Sequence, residues 1–479
     1  MCIAGSASQC SLLLFRLLLL GLLAASPAAA RDNFLVLMAD DVGVDGVNIY
    51  SRDDLYGHLG EGANPGPTPT IDQLALDGVL FRNAWANAQC SPARAATLTG
   101  RHGVRTGIGT PGGAFLPLSE TTLAELLGAT HETSAIGKWH ISAGDGDHPI
   151  DQGFDYYAGP LSNAGSYFSW TKTTNSESSS EQTQADYATY ITTDNVQEAR
   201  DQIVAAGESA WFVWLAFTAP HAPFHVPPDE LTTIAVSGAS NNAIKWKAAI
   251  EAMDTEIAWL LGQIPQSILD DTTIVFIGDN GSPSSATEAP FLSQHAKGSV
   301  YEGGLNVPLI IRSPHIDPAD QGSESLAFVN HTDLFATVAE IVGAPSTAVD
   351  SLSLLPYLRA PSLASQRRCA FSESFSPNGS GPYNDEQRAA RDERYKLIWR
   401  DGVYEEFFDL DQDRWEEQNL LPFANLDPTE AAAYLALADS IDHGTCALPV
   451  GVPAVPLPAI VLAALLLGSV AIRQLPRHP

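Results

Sequence analysis

Positive charge is scarce in this sequence. Only 25 Lys and Arg stand against 56 Asp and Glu over 479 residues, a formal net charge of −31. A chain of that sign is excluded from non-specific binding to nucleic acid or to an anionic membrane surface. An anionic substrate would be repelled overall, so its site must concentrate local positive charge and use a bound cation. Cysteine is sparse as well. Cys2 and Cys10 belong to the N-terminal segment, Cys90 stands by itself, and Cys369 and Cys446 could pair in an oxidising compartment or remain two free thiols. No internal repeat is present, which excludes solenoids and propellers.

What is present divides the chain into parts. An apolar core from Leu12 to Ala25, broken by Arg16 and followed by Ser26-Pro27-Ala28-Ala29-Ala30, predicts a secretory signal over 1–30. It is shorter than the about 20 apolar residues of a spanning helix. From Asn33 onward, short apolar runs alternate with loops and helical patterns. Asn33 to Met38, Thr133 to Ile136, Trp211 to Phe217, Thr272 to Ile277 and Val307 to Ile311 read as buried strands. Asn241 to Ile264 keeps helical spacing of apolar residues, and Asp333 to Val342 is a further helix. The alternation predicts an α/β fold with a large, mostly parallel sheet sandwiched by helices over 31–350. Beyond a Ser- and Pro-bearing connection, short strands and a helix at Thr429 to Asp442 predict a smaller α+β unit over 365–445.

Polar residues recur where the strands end, which is where open α/β sheets hold ligands. Asp40 and Asp41 follow the first strand, and adjacent like charges are costly unless a cation joins them. Lys138 and His140 follow another. If Gly137 to His140 stays extended, these two share one side and Trp139 points to the other. His221 follows the Trp211 strand, with His225 as a structural residue, and Asp279 and Asn280 follow the Thr272 strand ahead of Lys297. Asp40, Asp41, Asp279 and Asn280 are hard oxygen ligands that suit Ca2+ or Mg2+ better than zinc.

Cys90 to Arg101, CSPARAATLTGR, predicts a helix with Pro92 in its first turn and Cys90 at its N-terminus, where free N–H groups and the helix dipole favour an anion. The string resembles the sulfatase signature C-x-P-S-R, with Ala93 in place of Ser. The motifs DD, CxPxR, GKWH, PHxP, GDNG and KGxxxEGG, in this order across residues 33 to 420, are similar to that family throughout. The resemblance implies an alkaline phosphatase-like fold and sulfate monoester hydrolysis on aryl sulfates or sulfated carbohydrates. It implies that Cys90 is converted to formylglycine by a maturation enzyme, attacks sulfur as the hydrated aldehyde, and joins Asp40, Asp41, Asp279 and Asn280 around calcium, with magnesium as the alternative. Arg94 would then orient the diol, Lys138 and Lys297 neutralise sulfate oxygens, His140 take a proton from the second hydroxyl, and His221 serve the leaving oxygen. Phosphodiester or phosphonate hydrolysis on the same scaffold is the nearest alternative, and a surface binding protein without catalysis is the other. Finally, Val455-Pro456-Leu457-Pro458-Ala459 with its apolar run and basic end over 448–479 resembles a PEP-CTERM sorting tail, which implies an exosortase and export to the cell surface or beyond. A membrane anchor is the alternative reading of that tail.

Overall fold

The computed structural model describes residues 32–51, 62, 64–178, 182–444 and 446. The signal expected over 1–30 and the tail expected over 448–479 lie outside the described residues. No helix among the described residues is long and apolar enough to cross a membrane.

Ten strands form the main sheet: β1 (Asn33–Ala39), β2 (Val79–Trp85), β3 (His131–Gly137), β4 (Tyr156–Gly159), β5 (Trp170–Ser176), β6 (Thr183–Tyr187), β7 (Ala210–Ala216), β8 (Thr272–Gly278), β9 (Leu309–Arg312) and β10 (Ser323–Asn330). Their spatial order is β10-β2-β9-β8-β1-β7-β3-β4-β5-β6. The centre is parallel: β1 pairs with β7 and β8, and β3 with β7 and β4. β5 and β6 add an antiparallel edge. β9 fulfils the strand expected at Val307 to Ile311 but runs antiparallel to β8 and β2. The loop bearing Asn280 and Lys297 leaves β8 and re-enters the sheet from the same end, and a chain that does so can only return antiparallel.

Alternation along β1 explains why both faces are covered. Leu35, Leu37 and Ala39 pack with Trp246, Ile250 and Met253 of the helix Asn242–Gln263 on one side. Phe34, Val36 and Met38 pack with Ala95, Leu98, Leu127 and Phe335 on the other. A strand buried on both faces carries no polar alternation, which is why β1 reads as a continuous apolar run.

A second, antiparallel sheet is made of β11 (Ala370–Ser376), β12 (Asp385–Arg391), β13 (Tyr395–Arg400) and β14 (Val403–Asp409), in that order. One face joins the main sheet through Trp85, Phe328, Ala389, Ile398 and Phe408. The other packs on Leu437 and Ile441 of the helix Pro428–His443, beside a disulfide between Cys369 and Cys446. The thiols left open by the sequence are therefore paired.

Candidate active site

The carboxyl ends of β1, β3, β7 and β8 lie side by side at the middle of the sheet, and the polar residues that follow them converge. Asp40 is wholly buried and its N–H donates to Ala219 O, while Asp279 N–H donates to Ala39 O, so the DD segment is stitched through backbone to the segments that carry His221 and Asp279. Asp41 adopts a left-handed φ of 68°. Its N–H donates to Asp279 Oδ1 at 3.0 Å and its carbonyl accepts from Trp246 Nε1 at 3.1 Å. The Asn241 to Ile264 helix, read from sequence as packing, thus also holds an acid of the site. The GDNG and EGG glycines allow two loops to touch: a Cβ on Gly281 would lie 1.9 Å from Gly303 O.

The helix Cys90–Thr99 starts where the sequence predicts, and every one of its residues is buried. Cys90 Sγ lies 3.4 Å from Asp40 Oδ1, 3.9 Å from Asp41 Oδ1 and 3.5 Å from Lys297 Nζ. Burial pushes the thiol far up, with Asp40 and Asp279 adding to it and Lys138 and Lys297 opposing. As a thiol, Cys90 is neutral and a poor nucleophile. Arg94 donates from Nε and Nη2 to Asp279 Oδ2 at 3.2 and 2.8 Å and from Nη1 to Lys138 O at 2.7 Å. It therefore braces the acids and the Lys138 backbone.

Lys138 Nζ donates to Asp40 Oδ2 at 2.5 Å and Lys297 Nζ to Asp41 Oδ1 at 2.5 Å. Burial pushes the Asp40 carboxyl up, yet Lys138, His221 and Arg94 outweigh burial and Asp41 and hold it below the usual aspartate range. His221 Nε2 is 3.8 Å from Asp41 Oδ2. Asp40, Asp41, Cys90 and His221 offer ligand atoms within 4.8 Å of one another, a group able to hold a metal ion. Asn280 Nδ2 donates to Asp41 Oδ1 at 2.9 Å, and its Oδ1 is buried with no hydrogen-bond partner. A buried carbonyl oxygen without a donor, on an amide that touches the Asp41 carboxylate, fits a hard cation.

One expectation is corrected here. The segment after β3 does not stay extended: Gly137 has φ 87° and His140 φ 64°. Trp139 still turns into the apolar core with Phe154 and Tyr157. His140 reaches the site by a left-handed turn instead of strand alternation, its carbonyl accepting from Ser91 Oγ at 2.6 Å. Burial first, then the charges of Lys138, Arg94, His221 and Lys297, lower its pKa to about 2, so the imidazole is neutral. His225 is structural as expected: Nε2 pairs with the Tyr190 hydroxyl and the ring stacks on Tyr167. Sequence reasoning missed Tyr167, whose hydroxyl donates to Thr218 O and His221 O, both at 2.7 Å. It sits in a loop with no periodicity, so no local signal marked it.

A family profile described as Sulfatase matches residues 32–344. The chain is similar to N-acetylgalactosamine-6-sulfatase of Sus scrofa, 31% identical over 381 residues, which cover 70% of this chain and 71% of the relative. It is also similar to arylsulfatase G of Rattus norvegicus, 28% identical over 428 residues, covering 78% and 77%. Among solved structures, PsFucS1 sulfatase from Pseudoalteromonas sp. shares the fold with a TM-score of 0.69 at 20% identity, covering 93% of this chain and 97% of that one. BT4656, solved in complex with its substrate D-glucosamine-2-N,6-O-disulfate, does so with a TM-score of 0.66 at 20% identity, covering 86% and 97%.

Proposed function

Because the chain belongs to the sulfatase family and is a sulfatase enzyme, we infer that it hydrolyses sulfate monoesters of carbohydrates at the site centred on Cys90. The observation that carries this reading is the convergence of Arg94, Lys138 and Lys297 with three buried carboxylates around the N-terminus of the Cys90–Thr99 helix. Three carboxylates balance three permanent cations, so a divalent ion added to them leaves the pocket net positive, as the acidic chain requires for an anionic ester.

Converted to formylglycine by a maturation enzyme, Cys90 supplies a hydrated aldehyde with one hydroxyl to attack sulfur and a second to expel sulfate afterwards. Asp40, Asp41, Asp279 and Asn280 would hold the ion, calcium by preference and magnesium as the alternative, which supplies fixed positive charge beside the reacting oxygens. Lys138 and Lys297, paired with Asp40 and Asp41, would neutralise sulfate oxygens. Arg94 keeps Asp279 and the Lys138 carbonyl in position. His221 serves the leaving oxygen, and neutral His140 is the partner of the second hydroxyl as that hydroxyl gives up its proton and sulfate is expelled. Sulfated sugars are the preferred class because relatives near 30% identity include a protein named for N-acetylgalactosamine 6-sulfate. Export by the N-terminal signal, with the tail handed to an exosortase, belongs to the same proposal.

Parallel assays on sulfated sugars, an aryl sulfate, and aryl phosphate mono- and diesters test it, together with mass spectrometry of the Cys90 peptide. Sulfate ester turnover with formylglycine at Cys90 is expected. A dominant phosphodiester rate, or activity with the thiol fully retained, overturns it.

A further inference from the structure

The loop from Pro160 to Ser169 is pinned at both ends of the reaction centre. Its start accepts hydrogen bonds from the catalytic segment after β3: Trp139 N–H donates to Pro160 O at 3.2 Å and His140 N–H to Leu161 O at 3.0 Å. Its other end is held by the Tyr167 hydroxyl on Thr218 O and His221 O, and by Ile191 N–H on Tyr167 O at 3.1 Å. The next residue, Phe168, thus lies in a loop bonded to both the His140 and the His221 segments of the site.

Phe168 is 42% exposed although its loop is tied down at both ends. Its orientation is set from beneath. It stacks on Tyr190 with ring centroids 5.2 Å apart and meets His225 edge-on at 6.0 Å, and His225 in turn stacks on Tyr167 at 3.6 Å. Burial lowers the His225 pKa to about 4, and its Nε2 is engaged by the Tyr190 hydroxyl, so the support is uncharged. The rest of the loop is small and polar: Ser162, Asn163, Ser166 and Ser169 stand near Phe168 in the chain, Ser166 Oγ accepts from Phe168 N–H at 3.2 Å, and a Cβ added at Gly165 would meet nothing within 4 Å. An aromatic plane rimmed by hydroxyl and amide groups suits a sugar, whose C–H face stacks while its edge hydroxyls seek hydrogen bonds.

We propose that Phe168, backed by Tyr190 and His225, is a substrate-specificity platform on which a pyranose ring of the sulfated substrate stacks while its ester lies over Cys90. This inference rests on the sulfatase reading and adds where the sugar binds. Stacking of this kind corresponds to about a three- to tenfold change in affinity.

The test compares wild type with Phe168→Ala and Phe168→Trp, using N-acetylgalactosamine 6-sulfate, 4-nitrophenyl sulfate and inorganic sulfate as probes. Phe168→Ala should raise KM for the sulfated sugar about three- to tenfold, with kcat little changed and inhibition by inorganic sulfate untouched, and Phe168→Trp should restore KM. The same ratio should appear in calorimetric Kd values for that sugar measured in a Cys90→Ser background, where turnover is removed. An unchanged sugar KM and Kd, a loss confined to 4-nitrophenyl sulfate, or a parallel loss of inorganic sulfate binding overturns the platform. Absence of all sulfate ester turnover with the Kd ratio intact would instead overturn the function and leave the platform standing.

Discussion

Replacing Arg94 with Ala should damage stability and catalysis together, and in a manner that depends on calcium. The guanidinium is fully buried, with two nitrogens on Asp279 Oδ2 and the third on Lys138 O. Burial opposes its charge, but Asp279 and Asp40 outweigh that and keep it firmly protonated. Removing one partner of such a buried pair costs about 3–5 kcal/mol, and the Lys138 carbonyl left without its donor adds about 1 kcal/mol. The orphaned Asp279 charge can be offset by a divalent ion. Urea unfolding should therefore show the full loss in EDTA and a smaller one in calcium. Arg94→Lys keeps the charge but not the fork, so it should fall between wild type and Ala. Activity in calcium should drop about a hundredfold or more for Ala, the scale of losing a preorganised electrostatic contact. A wild-type urea midpoint in EDTA, or the same loss with and without calcium, would refute the reasoning.

Glu373 should make stability fall as pH rises. It is fully buried, and burial with Asp350 lifts its carboxyl from 4.5 to about 7, against hydrogen bonds from Val104 and Gly103 and the charge of Arg388. The folded state thus holds a proton that the unfolded chain releases. The favourable contribution is complete below pH 4.5 and is lost on the way to pH 7, by roughly 3 kcal/mol. Glu373→Gln should remove that slope, so its urea midpoint relative to wild type should climb between pH 4.5 and 8; a constant difference would contradict the assignment. Chelation should lower the Tm of wild type and change it little after Asn280→Ala, since an ion bound to the folded state stabilises it by mass action. Equal calcium-dependent Tm shifts in the two proteins would remove Asn280 from the ligand set.

Much of the site was legible because its residues follow buried strands. A run such as Asn33 to Met38 announces itself by continuous hydrophobicity, and whatever polar pair terminates it lies at the sheet's carboxyl edge; Asp40, Asp41, Asp279 and His221 were found in this way. β2 was not, because Arg82 and Asn83 interrupt it. In the fold Arg82 is buried, pairing with Glu324 of β10 and the Tyr50 carbonyl, a partnership spread across distant segments. The Ile191–Ala206 helix and the β5 and β6 strands escaped because polar residues fill most of their positions.

The sequence by itself determined the parallel core, the helix that begins at Cys90 and the chemical identity of the groups around it, since these depend on local patterning and on motifs of short span. Only the tertiary structure decided how the groups meet. A left-handed turn brings His140 to the pocket, Trp246 from a packing helix grips Asp41, and β9 reverses because its loop returns to the edge it left. It also decided that Phe168 is held in the open by Tyr167 and Tyr190. Such contacts join residues far apart in the chain, where no local propensity records which surfaces will face each other.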